Sequence, residues 1–263
     1  MKIQLGDIET AYTIHGDGPP LVLIHGLAES KESWRGIQHK LKNFRTYAYD
    51  LRGHGETPIG SGEGTLEQLG GDLIAFLEKI SGPARCVGYS LGGALLLWAA
   101  VKYPKLISAA VVVGTSTVVG KKALEFFNER IRMIREDFSA FPPALLKDTA
   151  LQIVNSGVDL EAVVASRLEA VGNGDGYVNA AQAMMCLHGN PLTPLLSKIK
   201  CPVSVIGGEN DIFCPRKAAD IMLSQLNNGT FQEVAKAGHL MSVDQPETYA
   251  NAIRFALQRK NRW

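Results

Sequence analysis

The sequence lacks several features that mark common classes of protein. Its 263 residues include only four cysteines, scattered without a Cys-x-x-Cys or Cys/His pairing, so neither a disulfide framework nor a metal site is predicted. The formal net charge is +1. No basic cluster is present that would favour nucleic acid or a strongly anionic substrate, and no nucleic-acid partner is expected.

Long apolar segments are also missing. No run approaches the roughly 20 residues that a membrane-spanning helix needs, and residues 1–7 lack the apolar core of a signal peptide. We therefore expect a cytoplasmic protein without a membrane partner. Hydrophobic residues make up 46% of the chain, which is enough for a substantial globular core. The sequence leaves the oligomeric state open.

Short apolar segments alternate with helical patterns along most of the chain. The predicted strands cover residues 2–5, 10–14, 21–24, 46–49, 84–87, 109–113, 203–206 and 230–234. The predicted helices cover residues 33–41, 65–80, 91–103, 215–226 and 246–258. This alternation predicts an α/β fold, with a mostly parallel, doubly wound sheet covered on both faces. Side chains that carry chemistry are then expected on loops at the carboxyl ends of the strands.

One long segment after the sixth strand breaks the alternation. It contains only helical patterns, at residues 123–138, 143–154, 160–171 and 176–187, separated by Gly, Pro and Asn. We interpret residues 119–196 as a helical cap inserted into a core formed by residues 1–118 and 197–263. A separate domain on a linker is less favoured, because the strand pattern resumes at Val203.

Ser90 lies among three glycines, between a predicted strand and a strongly helical segment. The sequence Gly88-Tyr89-Ser90-Leu91-Gly92 matches the pattern Gly-x-Ser-x-Gly, in which a serine on a tight strand-to-helix turn acts as a nucleophile. Glycines on either side allow the strand and the helix to approach each other. The alternative, a glycine-rich turn without function, is decided by whether the sequence also provides a base and an acid.

A serine hydroxyl needs a base to take its proton and a carboxylate to orient that base. His239 follows the last predicted strand on a glycine-containing loop, which makes it the candidate base. The candidate acid is Asp211, on the loop after the strand at residues 203–206, and Glu209 is the alternative on the same loop. The order serine, acid, histidine is the reverse of the chymotrypsin order.

These motifs give the chain a resemblance to the α/β-hydrolase superfamily over nearly its full length. The resemblance rests on Ile24-His25-Gly26-Leu27, Tyr49-Asp50-Leu51-Arg52-Gly53-His54-Gly55, Gly88 to Gly93, and Gly238-His239 with Asp211 upstream. Within the superfamily the chain resembles the serine branch of small carboxylesterases, enol-lactonases and non-haem haloperoxidase-like proteins. The resemblance implies catalysis by Ser90, Asp211 and His239 without a metal or organic cofactor.

The resemblance also implies an oxyanion hole formed by the backbone N–H groups of Leu27 and Leu91. His25 and Arg52 correspond to residues that hold the loops in the family and are not expected to be catalytic. Because the nucleophile is a serine and not an aspartate, dehalogenase and epoxide hydrolase activities are disfavoured. A small ester or lactone is the expected substrate.

Two alternatives remain open at this stage. Carbon–carbon hydrolases of aromatic ring cleavage share the scaffold, although many carry a tryptophan where this chain has Leu240. A small-molecule receptor could also retain the three residues. In the inserted segment, apolar residues predicted to line a substrate pocket are Phe126, Met133, Phe138 and Met184. Such residues at helical spacing more often pack a helix against its neighbours.

Overall fold

The protein is described here, over residues 1–258, by a computed structural model. All eight predicted strands form, and they join one sheet with the order β1-β2-β4-β3-β5-β6-β7-β8. The strands are β1 (Lys2–Leu5), β2 (Ile8–His15), β3 (Pro20–Ile24), β4 (Arg45–Tyr49), β5 (Ala84–Tyr89), β6 (Ile107–Val113), β7 (Val203–Gly208) and β8 (Gly229–Val234).

The sheet is antiparallel at one edge and parallel elsewhere. β2 pairs antiparallel with β1 and β4, whereas every pairing from β4 through β3, β5, β6 and β7 to β8 is parallel. Parallel neighbours need long crossovers, which the helices between the strands provide. The predicted fold class is thus confirmed.

Helices cover both faces of this sheet. In chain order, the α-helices of residues 1–258 are α1 (Arg35–Gln38), α2 (Leu66–Phe76), α3 (Leu91–Lys102), α4 (Lys121–Glu136), α5 (Phe141–Ala150), α6 (Leu160–Val171), α7 (Asp175–Met185), α8 (Arg216–Leu223), α9 (Met241–Asp244) and α10 (Pro246–Leu257). Large apolar clusters fill the space on each side. One contains side chains of α2 and α3, and the other contains side chains of α10.

Two predicted helices differ in detail from the observed ones. Residues 33–41 were expected to form one helix, but a 3-10 turn at Lys31–Trp34 precedes a single α-turn at Arg35–Gln38. Gly36 lies in this segment and lowers its helix propensity. The helix predicted at residues 65–80 changes at Leu77–Ser81 to a π-helical turn, which ends at Gly82 with φ of 67°.

The helices α4 to α7 lie between β6 and β7, where the described chain contains helices and loops but no strand. We call these four helices the helical insertion. The division into a core and a cap at residues 119 and 196 remains a prediction. Among residues 1–258, no helix combines the length and the apolar character that crossing a bilayer requires.

The topology places three loops at the carboxyl ends of the parallel strands. Ser90 directly follows β5, Asp211 follows β7 and His239 follows β8. Because these strands are parallel, their carboxyl ends lie on the same side of the molecule. Side chains 149 residues apart along the chain are therefore brought together there.

Candidate active site

Ser90 occupies a strained turn between β5 and α3. Its φ of 52° and ψ of −115° are unfavourable for a residue with a side chain, and such strain is found mainly where a side chain must be held in place. The Ser90 N–H donates to the Val113 carbonyl at 2.8 Å. The Thr115 hydroxyl donates to the Ser90 carbonyl at 3.1 Å. These contacts with β6 and the loop after it fix the turn.

Glycines surround Ser90 because backbone atoms pass very close to them. A Cβ atom at Gly88 would lie 2.3 Å from the Gly92 carbonyl oxygen, and one at Gly92 would lie 2.3 Å from the Ile24 oxygen. A Cβ atom at Gly93 would overlap the Thr115 hydroxyl at 1.9 Å. Any side chain at these positions would separate β5, α3 and the neighbouring strand β3.

His239 connects the serine to the predicted acid. Its Nε2 atom lies 3.2 Å from Ser90 Oγ, and its Nδ1 atom lies 2.8 Å from Asp211 Oδ2. The Tyr89 hydroxyl donates to the His239 carbonyl at 3.2 Å and supports the loop. The structure therefore brings the three predicted residues, Ser90, His239 and Asp211, together in one hydrogen-bonded chain, which we call the triad.

Asp211 is held as a carboxylate despite its burial. Burial alone would raise its pKa, but the His239 imidazole and the N–H groups of Cys214 and Phe213 lower the pKa below its ordinary value. Those two N–H groups donate to Asp211 Oδ1 at 2.8 and 2.9 Å. Glu209, the alternative acid, accepts a hydrogen bond from the Lys236 N–H at 2.7 Å and is not bonded to His239.

The two predicted oxyanion donors, whose role remains a prediction, belong to residues on the segments next to Ser90. Leu91 is the first residue of α3, where helix geometry leaves N–H groups without intrahelical acceptors. Leu27 lies on the loop after β3, just before Ala28, whose φ is 59°. Both line the same cavity as Ser90. The arrangement can present two N–H groups to a negatively charged oxygen next to the nucleophile.

His25 and Arg52 hold neighbouring loops, in agreement with the structural role expected for them. Burial, with a further effect from His54, lowers the pKa of His25 to about 3, so its ring is neutral and Nε2 accepts the Leu51 N–H at 2.9 Å. Arg52 forms a two-pronged ion pair with Asp72, with distances of 2.8 and 2.9 Å. Neither side chain lines the cavity at Ser90.

A cavity of about 400 Å³ lies between the loops at the carboxyl ends of the strands and the helical insertion. Ser90 and His239 line it, and residues of α4, α5, α6 and α7 form a large part of the rest of its wall. Most of that wall is apolar, formed by residues that include Val118, Val119, Phe126, Phe127, Leu145 and Met184. Phe126 and Met184, both predicted to line a substrate pocket, are thus at the cavity.

Met133 and Phe138, for which the same prediction was made, do not line this cavity. Only the first half of α4 faces it, through residues up to Phe127. Met133 is a helical turn and a half farther on and packs against the core of the insertion. Phe138 follows the end of α4, is 36% exposed and stacks near the Phe141 ring at 5.9 Å.

The cavity also contains polar residues that sequence reasoning missed. Asp148, Gln152, Arg167 and Tyr177 all line it, and all are buried. A signal for Arg167 was present, because Val164, Arg167 and Val171 follow the helical spacing of a buried face in α6. An arginine on an apolar helical stripe is unusual and indicates a buried polar contact.

Three potential metal ligands lie close together at the triad. Ligand atoms of Asp211, Cys214 and His239 are within 4.8 Å of one another. Burial, with a contribution from Asp211, raises the pKa of the Cys214 thiol well above its ordinary value, and the neutral thiol is a poor metal ligand. Asp211 and His239 are already bonded to each other. We therefore assign no metal to this cluster.

Known proteins are similar to this chain over nearly its full length. A 3-oxoadipate enol-lactonase from Acinetobacter baylyi is 26% identical, with 97% of this chain and 95% of that protein covered. A 2-hydroxy-6-oxo-6-(2'-aminophenyl)hexa-2,4-dienoic acid hydrolase from Metapseudomonas resinovorans is 27% identical, with 98% and 90% covered.

A solved structure shows the same likeness in three dimensions. The enol-lactonase from Burkholderia xenovorans superposes with a TM-score of 0.87 at 21% identity, covering 98% of this chain and 100% of that one. At this identity the likeness concerns the fold alone. The sequence pattern of the α/β hydrolase fold family matches residues 19–246. The chain therefore belongs to the α/β-hydrolase fold family.

Proposed function

We propose that the protein is a serine hydrolase that cleaves a small carboxylic ester or lactone through an acyl-enzyme on Ser90. The observation that carries this proposal is the hydrogen-bonded chain from Ser90 Oγ through His239 to Asp211, with distances of 3.2 and 2.8 Å. Ser90 and His239 both line a cavity whose volume suits a small ligand. A buried histidine with a merely structural role would not need to contact a strained serine.

In the proposed reaction, Ser90 Oγ attacks the acyl carbon while His239 Nε2 accepts the hydroxyl proton. Asp211 stabilises the imidazolium that forms. The carbonyl oxygen becomes an oxyanion, which the N–H groups of Leu27 and Leu91 stabilise by roughly 3 kcal/mol each. His239 then gives its proton to the leaving oxygen. A water molecule, deprotonated by His239, cleaves the acyl-enzyme and restores the serine.

Two lines of support favour an ester or lactone over other substrates of this scaffold. The cavity is small and its walls are largely apolar, which suits a short acyl group. The similar protein from Acinetobacter baylyi is named as an enol-lactonase. A cap that spans residues 119–196 is part of the proposal, since all four helices of the helical insertion contribute residues to the cavity wall.

Carbon–carbon bond hydrolysis is the second candidate. The similar protein from Metapseudomonas resinovorans is named as the hydrolase of a dienoic acid. Leu240 follows His239 in this chain, at the position where tryptophan is common in that group, which is why we rank this activity second. A screen that includes a ring-cleavage dienone beside esters and lactones separates the two.

The test of the proposal is the replacement Ser90→Ala. We expect kcat for 4-nitrophenyl butyrate to fall by at least about 1,000-fold, because the nucleophile is lost while the fold is retained. A fluorophosphonate probe should modify wild-type Ser90, as located by mass spectrometry. Ser224→Ala is the matched control, because this exposed hydroxyl only donates to the Ile221 carbonyl. Wild-type turnover by the Ser90→Ala protein would remove the proposal.

A further inference from the structure

Arg167 is a buried cation at the wall of the candidate active site. It belongs to α6, is 8% exposed, and lines the same cavity as Ser90 and His239. Burying a guanidinium is costly unless partners compensate for its lost hydration. The identity of those partners therefore indicates whether the charge serves the fold or a ligand.

The acceptors of Arg167 among residues 1–258 are all neutral oxygens. One terminal nitrogen donates to Thr149 Oγ1 at 2.9 Å and to Gln152 Oε1 at 3.2 Å. The other donates to the Leu27 carbonyl at 3.5 Å, a long contact. The Nε–H of Arg167 is buried and has no acceptor within the described chain. The guanidinium of Arg167 therefore has one N–H without an acceptor and a positive charge without a hydrogen-bonded carboxylate among residues 1–258.

The nearby carboxyl groups do not supply the missing partner. Asp148 lines the cavity, but both of its oxygens accept from Arg130, at 2.7 and 2.8 Å. Glu29 is buried near Arg167, and the charge of Arg167 acts to lower the pKa of Glu29. The carboxyl of Glu29 accepts a hydrogen bond from the Gly26 N–H and not from Arg167. Burial raises the pKa of Glu29 above its ordinary value, against the lowering effects of Arg167 and of that N–H.

We propose that Arg167 binds a carboxylate of the substrate, so that the ester or lactone cleaved at Ser90 carries a free carboxylate group. This inference rests on the proposed function and narrows its substrate class. A guanidinium forms short, charge-assisted hydrogen bonds with a planar carboxylate and can do so through two nitrogens. Such a ligand would offset the buried charge of Arg167, whose acceptors among residues 1–258 are all neutral.

The surroundings favour one carboxylate over a more highly charged group. Among residues 1–258, Arg167 is the one arginine that lines the cavity. The other cation there is Lys122, an exposed residue at the start of α4. A phosphate would bring up to two charges toward a largely apolar wall with a single buried cation. The remaining wall suits the short hydrocarbon segment that joins the carboxylate to the reacting carbonyl.

The experiment compares substrates that differ only in this charge. One pair is the 4-nitrophenyl ester of glutarate with its second carboxyl free or methylated. The second pair places the group on the leaving side, as 4-carboxyphenyl butyrate and its methyl ester. For wild-type protein we expect kcat/KM to favour the free carboxylate at least about 10-fold in one of the pairs. In Arg167→Gln this ratio should fall by about 10- to 100-fold.

Arg132→Gln is the matched control, because Arg132 is an exposed arginine of the insertion paired with Glu129 and Glu136. Its substrate ratio should equal that of wild type. Lys122→Gln tests the other cation at the cavity. A ratio that collapses in Lys122→Gln and not in Arg167→Gln would overturn the assignment. So would an equal loss on charged and neutral substrates in Arg167→Gln, which a structural role would produce.

A measurement on the wild-type protein covers the case in which Arg167→Gln does not fold. Glutarate should competitively inhibit hydrolysis of a neutral ester, and dimethyl glutarate should not. Arg167→Lys, which keeps the charge but loses the planar fork, should weaken this inhibition. Equal inhibition by glutarate and dimethyl glutarate would contradict the assignment of Arg167 as the carboxylate-binding residue. Hydrolysis of neutral esters without any carboxylate preference would do so too, while leaving the proposed hydrolase intact. Absence of all esterase and lactonase turnover would instead contradict the proposed function itself.

Discussion

At the scale of single residues, Asp211 and Glu209 show how surroundings decide between two carboxylates on one loop. Asp211 accepts from His239 and from two backbone N–H groups, and its lowered pKa keeps it ionised near neutral pH. Glu209 accepts from the Lys236 N–H instead. Of these two carboxylates, Asp211 is the one bonded to His239 and so placed to stabilise a positive charge on its imidazole.

We predict that Asp211→Asn lowers kcat for 4-nitrophenyl butyrate by about 1,000- to 10,000-fold, because a neutral amide favours the wrong tautomer of His239. Glu209→Gln should change kcat by less than about 3-fold, since it alters a loop contact and no group in the triad. Steady-state kinetics of the two purified variants provide the comparison. If Glu209→Gln proved to be the more damaging change, the acid would have to be reassigned.

The residues of the triad could be predicted from sequence, whereas most of the cavity wall could not. Ser90, Asp211 and His239 each follow a strand, so local patterns locate them and the parallel sheet does the rest. The orientation of α4 is set by packing within the insertion, which the sequence does not reveal. For that reason the sequence did not distinguish Phe126, which lines the cavity, from Met133, which packs within the insertion.

At the scale of elements, α2 and α3 illustrate how two adjacent glycines can have opposite roles. Gly70 and Gly71 are neighbours in α2. A Cβ atom at Gly70 would lie 2.3 Å from Cε3 of Trp98, a buried residue of α3, whereas one at Gly71 would meet no atom within 4 Å. Gly70 therefore allows the two helices to approach, and Gly71 has no such function.

We predict that Gly70→Ala lowers the free energy of unfolding by about 1–3 kcal/mol, because Trp98 must move out of a packed core. Gly71→Ala should raise it by about 0.5–1 kcal/mol through better helix propensity. Chemical denaturation followed by circular dichroism measures both. Similar shifts in the two variants would show that the contact between Gly70 and Trp98 does not limit the packing of α2 on α3.

Element positions followed from the sequence where apolar patterns are strong and short. All strands of the parallel sheet were predicted within two residues of their observed starts and ends. Helix ends were less predictable, because hydrogen bonding in the last turn depends on the tertiary contacts of the segment. The change from α2 to the π-helical turn at Leu77–Ser81 is an example, since no residue before Gly82 marks it.

At the scale of the whole molecule, Asp244 links the helical insertion to the loop that carries His239. Its carboxylate accepts from the Val154 N–H at 3.0 Å and the Asn155 N–H at 2.9 Å, just after α5. It also accepts from the Gly238 N–H at 2.6 Å, next to His239. The side chain is buried. One carboxylate thus fixes two distant segments relative to each other and to the base.

We predict that Asp244→Asn destabilises the protein by about 2 kcal/mol, because the amide nitrogen would face an N–H donor and leave it unpaired in the interior. It should also lower kcat on neutral esters, since the loop at Gly238 loses its anchor.

Asp220→Asn is the control, because Asp220 is exposed and pairs with Arg216 within α8. That change should cost less than about 0.5 kcal/mol. Denaturation midpoints and kcat are measured for both variants. Equal stability and equal kcat for the two would mean that the segment after α5 and the His239 loop are held together by contacts other than Asp244. In that case the geometry of the triad would not depend on the insertion through this carboxylate.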